Sequence, residues 1–347
     1  MSLYLSVVEG AYLRDLLAQP QAVADTLTGL RSFPPLQGRV AASRHIVLTG
    51  IGSSLHALYP LLLRLVRAGH TALMIETGEL VHAQSVLLDE RTLLVAVSQS
   101  GRSAEMVQLL DLITELPSRP FVVGVTNTAD SPLALRSDAL VPLRAGPEFS
   151  VSCKTYLSTL VALEWLGGAL CGDNLDALIK ELDHTAPLVE DYLVRWRTHV
   201  TQLSGQLTRL RHLFLLGRGA SLAAAGTGAL IIKESTRFHA EGMSSPAFRH
   251  GPLEMVGLGL FAVVFAGAPA TAALNETLVR DIRAAGGCAA LVSADSDLSP
   301  FRLPVAPPRL LPVLEMLPVQ MISLALAAIA GREPGRFERA TKITVVA

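Results

Sequence analysis

The chain has 347 residues, of which 50% are hydrophobic and 17% are charged, and its formal net charge is -1 at pH 7. A charge so close to zero, without a stripe of Lys and Arg, argues against nucleic acid as a partner. The length accommodates two domains with separate cores. Because the N-terminus lacks the basic start and apolar run of a signal peptide, we expect a soluble, cytoplasmic protein.

Short apolar runs alternate with helical patterns along most of the chain. Residues 1–40 are predicted to form a helical lead-in that ends near Phe33-Pro34-Pro35. The first set of strands is predicted at His45–Leu48, Thr71–Ile75, Leu93–Val97, Phe121–Val125 and Ala139–Pro142. Each run is bounded by Gly, Pro or Asn, which is typical of buried strands in a doubly wound parallel sheet. Ligands of such sheets sit beyond the carboxyl ends of the strands.

The second half of the chain repeats this alternation. Long helices are predicted from Thr155 to Leu170 and from Leu188 to Leu207. The strands that follow are predicted at Leu213–Leu216, Phe261–Phe265, Ala289–Val292 and, more weakly, Leu311–Val313. We therefore predict an α/β fold with two tandem doubly wound, flavodoxin-like domains over residues 41–185 and 208–347. A linking helix over residues 186–207 is predicted to join them.

Two smaller features bear on the core and the compartment. The uncharged apolar stretch from Leu317 to Ala330 is shorter than the roughly 20 residues that a membrane span needs, so a buried helix is predicted there. The cysteines Cys153, Cys171 and Cys288 lie far apart, without metal or redox spacing. We predict that all three are reduced core thiols.

One strand–loop–helix unit occurs twice in the chain. The segment that begins at His45 reappears 167 positions later at His212, and the same offset places Leu93–Val97 on Leu260–Val264. After this strand the copies differ, because the first continues into Ser98-Gln-Ser-Gly-Arg-Ser103 and the second into Phe265-Ala-Gly267. The repeat thus predicts two related domains, of which only the first has a polar pocket.

The polar segment of the first copy suits a phosphate group. Hydroxyls, an amide and free backbone N–H groups meet there at a helix N-terminus, so the donors and the helix dipole both point at the ligand. The candidate side chains are Ser98, Gln99, Ser100 and Ser103, with Ser53 and Ser54 after the first strand. Gly101 lets the backbone approach closely. An ordinary Ser-rich helix cap is the alternative interpretation.

The segment Gly50-Ile-Gly52 also begins like a dinucleotide-binding fingerprint, and Glu76 ends the second strand where a ribose-binding acid would lie. However, Leu55 occupies the position of the third glycine. A nicotinamide or flavin is therefore not predicted. No other cofactor and no metal is predicted either.

Polar residues cluster again in the second copy. The helix that begins near Gly228 is apolar at first and becomes polar around Lys233-Glu234, and His250-Gly-Pro252 follows shortly afterwards. Such a pattern indicates a loop organised around a site. A solvated helix end, with His250 hydrogen-bonded in a turn, explains the pattern equally well.

Taken together, these motifs resemble the sugar isomerase (SIS) family. The matching segments, in order, are Ser98-Gln-Ser-Gly, Gly217-Arg-Gly, Lys233-Glu234, His239-Ala-Glu241, His250-Gly-Pro and Ala340-Thr-Lys342-Ile-Thr-Val. The pattern is most similar to the isomerase half of glucosamine-6-phosphate synthases, without their glutamine-hydrolysing domain. The resemblance extends from about residue 45 to the end of the chain.

This resemblance implies a role for each candidate residue. The serine-rich loop, with Ser54 and the adjacent Ser53, would bind the 6-phosphate of a hexose. Glu234 would be the base that moves a proton between C1 and C2 of the open-chain sugar. His250 would assist ring opening and would reach the site from a neighbouring subunit, which implies a homodimer. Lys342 would form an imine with the ketose carbonyl.

Three positions depart from the synthase pattern. Ala247 stands where the synthase has a glutamate, Ile231 replaces a lysine, and Lys154 lies one position earlier than the corresponding basic residue. The phosphate site and the base are intact, whereas the identity of the C1 or C2 substituent is open.

The first hypothesis is therefore an enzyme that converts glucosamine 6-phosphate and water to fructose 6-phosphate and ammonia. The alternatives are a fructosamine-6-phosphate deglycase, an aldose–ketose phosphosugar isomerase and a non-catalytic phosphosugar sensor. Retention of Glu234, His250 and Lys342 argues against the sensor, which needs the phosphate site and not the base.

Overall fold

The computed structural model describes residues 5–31, 43–339 and 341. The chain divides into two compact units. The first-sheet unit contains Gln19–Glu148 and Cys153–Ala186, and the second-sheet unit contains Phe149–Ser152, Pro187–Phe337 and the N-terminal residues up to Ala18. The predicted lead-in is shared between the units, because α1 (Ala11–Leu17) belongs to the second and α2 (Gln19–Leu30) to the first. The domain boundaries predicted from the sequence stay a prediction.

The first-sheet unit is built on five parallel strands in the order β2-β1-β3-β4-β5. The strands are β1 (His45–Gly50), β2 (Ala72–Glu76), β3 (Thr92–Val97), β4 (Phe121–Thr126) and β5 (Ala139–Pro142). All five predicted strands are confirmed. Every residue of the central strand β3 is buried, which explains its unbroken apolar sequence, since helices cover both faces of a parallel sheet.

Eight helices of the described chain surround this sheet or extend from it. They are α2, α3 (Ser53–Ala57), α4 (Tyr59–Arg67), α5 (Thr77–Ala83), α6 (Ala104–Glu115), α7 (Pro132–Arg136), α8 (Lys154–Cys171) and α9 (Leu175–Leu182), with a 3₁₀ turn at Ser85–Leu87. The long helix predicted from Thr155 is confirmed as α8. Helix α6 buries Met106, Leu109, Leu110 and Ile113 at helical spacing. These side chains pack in one cluster with Val47 and Leu94, each worth roughly 1.5–3 kcal/mol when fully buried.

The second-sheet unit contains four parallel strands in the order β7-β6-β8-β9. The strands are β6 (His212–Gly217), β7 (Ala240–Ser244), β8 (Leu260–Phe265) and β9 (Cys288–Val292). Three of the four predicted strands are thus confirmed, and the prediction at Leu311–Val313 is wrong. That segment forms a helix with Pro312 in its first turn, where the missing N–H of proline has no cost.

Strand β7 escaped prediction because its sequence, Ala-Glu-Gly-Met-Ser, is polar and lies at an edge of the sheet. It pairs with β6 in register, Leu215 opposite Gly242. Gly242 is required there, since a Cβ atom at this position would overlap the carbonyl oxygen of Ala225 in α12 (Leu222–Thr236). Strand β7 therefore packs backbone to backbone against α12.

The remaining helices belong to the second-sheet unit, apart from the first two residues of α10. They are α1, α10 (Thr185–Leu193), α11 (Trp196–Leu207), α12, α13 (Ser245–Arg249), α14 (Pro269–Ala284), α15 (Leu311–Leu314) and α16 (Met316–Ile329). Short 3₁₀ turns lie at Leu5–Val8, Gly219–Ser221, Pro252–Met255, Ser299–Phe301 and Pro308–Leu310. The single helix predicted from Leu188 to Leu207 is wrong in one respect, because an exposed break at Val194 and the following residue divides it into α10 and α11.

The apolar stretch near the end of the chain forms α16, which is buried from Met316 to Ala328. The helical segment Pro308–Ile329 has 22 residues and is therefore longer than the apolar stretch in the sequence. Of its most apolar 18 residues, 94% are buried inside the protein. A buried core helix accounts for that composition, as predicted.

The three cysteines are free. Cys153 is buried, Cys171 is half-buried and Cys288 is exposed. The prediction of core thiols is therefore wrong for Cys288, which is exposed at the amino end of β9.

A Gly242→Ala substitution should lower the stability of the protein by roughly 1–3 kcal/mol, because the new methyl group must displace either β7 or α12. Thermal and urea unfolding of the purified protein would measure the change. Gly205→Ala is the matched control. Gly205 lies within α11, and a Cβ atom on it would meet no other atom within 4 Å, so alanine should stabilise the helix by up to about 1 kcal/mol. Equal effects of the two substitutions would contradict the packing argument.

Candidate active site

The loop Ser98–Ser103 connects β3 to α6, as predicted. Ser98 and Ser100 are each only 8% exposed. The Ser98 hydroxyl oxygen accepts a hydrogen bond from the Gly101 N–H at 3.1 Å, and that of Ser100 accepts one from the Arg102 N–H at 3.2 Å. Within the described residues, neither hydroxyl donates its own proton to a protein acceptor. Backbone N–H groups therefore fix the positions of both hydroxyl oxygens.

The start of α6 adds further donors to this loop. Ser103 is the N-cap residue, with φ -62° and ψ 149°, yet its side chain makes no capping hydrogen bond. The N–H groups of the first helical turn and the positive end of the helix dipole thus point towards the loop. A serine that served only as a helix cap would accept a hydrogen bond from that turn, so the geometry favours the anion-binding interpretation.

The loop is tied firmly to the neighbouring strand. The carbonyl oxygen of Gln99 accepts hydrogen bonds from the Asn127 N–H and the Thr126 hydroxyl, both at 3.1 Å. Gly101 adopts φ +61°, and a Cβ atom on it would overlap the Ser131 side chain. The Gly101 backbone thus lies close to the side chain of Ser131. Glycine is required at this position because any other residue would carry a Cβ atom.

Ser53 and Ser54 lie at the same edge of the sheet. They begin α3 directly after β1, which pairs in parallel with β3, and both are partly exposed. A Cβ atom on Gly50 would lie 3.0 Å from the carbonyl oxygen of Val97, so the ends of the two strands are in close contact. The structure therefore brings both predicted serine segments to one edge of the first sheet.

A cavity of about 710 Å³ lies beside this edge within the first-sheet unit. Its lining residues are Gln99, Ser100, Arg102, Asn127, Thr128, Leu143, Arg144, Gly146, Pro147 and Glu148. Two of the predicted site residues, Gln99 and Ser100, line it. Ser53, Ser54, Ser98 and Ser103 do not. Two arginines give its wall positive charge, although Arg102 also pairs with Asp130 at 3.0 Å.

Several lining residues were not predicted from the sequence. Asn127 and Thr128 follow β4 immediately, so the rule that ligands sit beyond the carboxyl ends of parallel strands would have found them. The Asn127 side chain donates to the Gly146 carbonyl at 2.9 Å and accepts from the Ala145 N–H at 2.9 Å. It thereby holds the segment that follows β5 against the cavity.

Glu148 is another residue that the sequence did not reveal. Its carboxylate is 7% exposed and accepts hydrogen bonds from the N–H groups of Cys153 and Thr155, each at 3.0 Å, and from the Thr155 hydroxyl at 2.7 Å. These donors lie at the start of α8, where an anion is favoured. Lys154, the first residue of α8, is also buried.

The candidates of the second half lie in the second-sheet unit. Glu234 is half-buried in the last turn of α12, which ends at Arg237 with a left-handed φ of 60°. His250 is exposed at the end of α13, and Ala247 on the same helix is also exposed. Ile231 is fully buried, so the position where synthases have a lysine contributes here to the core. Lys342 lies outside the described residues.

No group of three or more His, Cys, Asp or Glu side chains in the described parts of the chain is arranged to hold a metal ion. The donors at the first sheet edge are hydroxyl, amide and N–H groups, which suit an oxyanion.

Comparison with known proteins agrees with this architecture. The sequence pattern of the SIS domain family matches residues 40–167 and 206–330. The chain therefore belongs to the SIS domain family, and the predicted resemblance is confirmed.

Three relatives illustrate the similarity. A glutamine–fructose-6-phosphate aminotransferase (isomerizing) from Pyrococcus horikoshii is 30% identical, over 96% of this chain and 57% of that protein. The C-terminal domain of glucosamine-fructose-6-phosphate aminotransferase from Francisella tularensis has a TM-score of 0.84 at 24% identity, covering 96% of this chain and 100% of that one. Glucosamine-6-phosphate deaminase from Thermotoga maritima has a TM-score of 0.78 at 18% identity, covering 97% and 100%.

The chain spans little more than half the length, 57%, of the Pyrococcus relative. At 24% and 18% identity, the two solved structures establish the fold alone. At the level of the family, the predicted membership in the sugar isomerase (SIS) group is confirmed.

A Glu148→Ala substitution should destabilise the first-sheet unit by at least about 1–3 kcal/mol, since it leaves buried N–H groups of Cys153 and Thr155 without an acceptor. Glu148→Gln keeps an acceptor oxygen in place and should cost less. Thermal unfolding of both variants followed by circular dichroism tests this order. A glutamine variant as unstable as the alanine variant would show that the charge, and not the hydrogen bonds, is essential.

Proposed function

We propose that this enzyme removes ammonia from an amino-sugar 6-phosphate, with glucosamine 6-phosphate as the substrate and fructose 6-phosphate as the product. The observation that supports this most directly is the preorganised Ser98–Ser103 loop, in which two buried hydroxyls and a helix N-terminus present donors at one sheet edge. A phosphate dianion satisfies such donors far better than a neutral hydroxyl group does.

The phosphate would be bound by Ser98, Gln99, Ser100 and Ser103, with Ser54 and Ser53 supplying further hydroxyls from the adjacent loop. Binding the phosphate at a rigid site fixes the position of the C6 end of the sugar relative to the protein. The reacting carbons are then held for proton transfer, which is the positioning contribution that lowers the barrier.

Glu234 would be the base for that transfer. After His250 assists ring opening, the Glu234 carboxylate takes the proton from C2 and returns it to C1. The product of this step is an imine at C2. Addition of water at C2 and loss of ammonia give fructose 6-phosphate, either directly or after exchange of the imine onto Lys342.

This proposal includes a homodimer, because in the SIS enzymes that the motifs resemble the histidine reaches the site from a neighbouring subunit. The exposure of His250 at the end of α13 is compatible with such a role. The cytoplasm is the compartment that a substrate of this kind implies.

A fructosamine 6-phosphate is the second candidate substrate. Ala247 is exposed and carries only a methyl group where the synthase pattern has a glutamate. A smaller, uncharged side chain at this position leaves room for a larger substituent on the amino group. The base and the phosphate site would serve both reactions.

Incubation of the purified protein with glucosamine 6-phosphate should release ammonia and fructose 6-phosphate in equal amounts. Coupled assays for both products would measure the reaction, and Glu234→Gln should reduce kcat by at least about a hundredfold, the lower range for loss of a general base. Turnover that survives in Glu234→Gln would exclude this glutamate as the base. Binding of fructose 6-phosphate without turnover of any amino-sugar or fructosamine phosphate would instead favour a sensor.

A Ser100→Ala substitution should weaken binding of fructose 6-phosphate about 10- to 100-fold, because a hydrogen bond to a charged group contributes roughly 1.5–3 kcal/mol. Isothermal titration calorimetry would measure the dissociation constant. Ser85→Ala is the control, since Ser85 lies in the 3₁₀ turn that precedes the amino end of β3. Unchanged affinity in Ser100→Ala would place the phosphate elsewhere.

A further inference from the structure

Glu315 is a buried carboxyl group for which the proposed reaction has no use. It is 1% exposed and lies in the second-sheet unit, immediately before α16. One carboxyl oxygen, Oε1, accepts a hydrogen bond from the Ser221 hydroxyl at 2.8 Å. The other, Oε2, is buried without a hydrogen-bond partner in the described structure.

The internal repeat relates the surroundings of this carboxyl group to the serine loops of the first-sheet unit. Ser221 follows Ser54 by 167 residues, and Gly267 follows Ser100 by the same number. A Cβ atom on Gly267 would lie 3.0 Å from the Ser221 hydroxyl oxygen. Glu315 is therefore bonded to the counterpart of Ser54, at the point where the loops after β6 and β8 meet.

A second buried side chain, Asn275, is hydrogen-bonded to the loops at this edge of the second sheet. Asn275 is fully buried. Its amide group donates to the carbonyl oxygens of Phe265 and Ala266 at 2.9 and 3.2 Å, and its oxygen accepts from Ser245 at 2.9 Å and Arg218 at 3.2 Å. Asn275 thus links the segment after β8 to Arg218 and Ser245 through hydrogen bonds within the protein.

The surroundings of Glu315 favour its neutral form. The N–H of Glu315 donates to the Leu311 carbonyl at 2.8 Å, and Ser221, the N-cap residue of α12, meets the carboxyl through its hydroxyl group. Burial raises the pKa of Glu315 to about 8, and the hydrogen bond from Ser221 opposes that rise. The related Glu148, 167 positions earlier, instead receives three N–H and O–H donors.

The charged groups on the elements packed against Glu315 are few. Helices α15 and α16 carry none. Arg218 precedes the turn that bears Ser221 and is bonded to Asn275, Arg309 lies in the 3₁₀ turn before α15, and Lys233 and Glu234 lie at the opposite end of α12 from Ser221.

We propose that Glu315, as a neutral carboxylic acid, fills the second-sheet unit's counterpart of the phosphate site, and that its ionisation destabilises this unit as the pH rises. The edge of the second sheet is thereby closed by the chain itself, and the protein holds one sugar phosphate per chain. The name of the counterpart position and the expected stoichiometry rest on the proposed function, whereas the pH effect does not.

The sign of the pH effect follows from the direction of the pKa shift. In the unfolded chain the carboxyl ionises near its ordinary pKa of about 4.5, whereas in the folded protein it stays protonated up to about pH 8. Its favourable contribution is therefore fully present below about pH 4.5 and is lost progressively until about pH 8. Within that window, each pH unit lowers the folding equilibrium constant about tenfold.

Comparison of the wild type with Glu315→Gln tests the inference, because glutamine has the same shape and does not titrate. Urea unfolding at pH values from 5 to 9 should show the variant gaining stability relative to the wild type by about tenfold in equilibrium constant per pH unit. The gain should level off above about pH 8. All other titrating groups are common to both proteins, so their effects cancel in the difference.

A pH-independent difference between the two proteins, or a wild type that gains on the variant as the pH rises, would overturn the inference. Glu276→Gln is the control, since Glu276 is exposed on α14, and its difference from the wild type should stay constant. Ser221→Ala removes the hydroxyl that favours the charged form, so the levelling-off should move to a higher pH.

Hydrogen exchange of the β6 and β8 amides, measured by mass spectrometry at pH 6 and pH 8.5, gives a second readout that needs no reversible unfolding. The ratio of wild-type to Glu315→Gln exchange rates at each pH should rise between these values in the second sheet and stay constant in β3 of the first. Independently, titration with fructose 6-phosphate should give one site per chain, and two sites would contradict the closed counterpart. Because the pH measurements use no substrate, they stand or fall separately from the proposed reaction.

Discussion

Parallel pairing on both sides of β3 is the constraint on which the candidate site depends. The strand pairs with β1 on one side and β4 on the other, so the carboxyl ends of three strands meet at one edge and the loops that leave them must be neighbours. The Ser98 N–H continues this ladder by donating to the Val125 carbonyl. Side chains that are far apart in the chain are thereby gathered by the sheet itself.

Hydrogen bonds at the carboxyl edge of the first sheet hold the Ser98–Ser103 loop in place. Backbone groups of the Ser98–Ser103 loop bond to Thr126 and Asn127, while the side chain of Asn127 holds the segment after β5. The oxygens of the two buried serine hydroxyls each accept a hydrogen bond from a backbone N–H group. Preorganised donors of this kind cost little reorganisation when an anion binds.

The second-sheet unit has the same arrangement of its first four strands, but its loops carry different side chains. Where the first unit has serines and glutamine, the second has Phe265, Ala266 and Gly267, and Asn275 and Glu315 are hydrogen-bonded to the loops at this edge. Two acids 167 positions apart illustrate the divergence. Glu148 meets N–H donors at a helix start, whereas Glu315 meets one hydroxyl inside a continuous helix.

The sequence by itself determined the strands whose two faces are buried, since unbroken apolar runs between turn residues are typical of such strands. It also located the serine-rich loop, because the two copies of the repeat differ there. It could not place β7, whose polar edge sequence is stabilised by close contact with α12, nor recognise that Leu311–Val313 is helical, because a short apolar run suits either structure. Only the tertiary structure decided that Asn127, Arg144 and Glu148 line one cavity and that Glu315 is buried without compensating charges. The physical reason is that burial and hydrogen bonding depend on neighbours distant in the chain, which no local pattern of residues records.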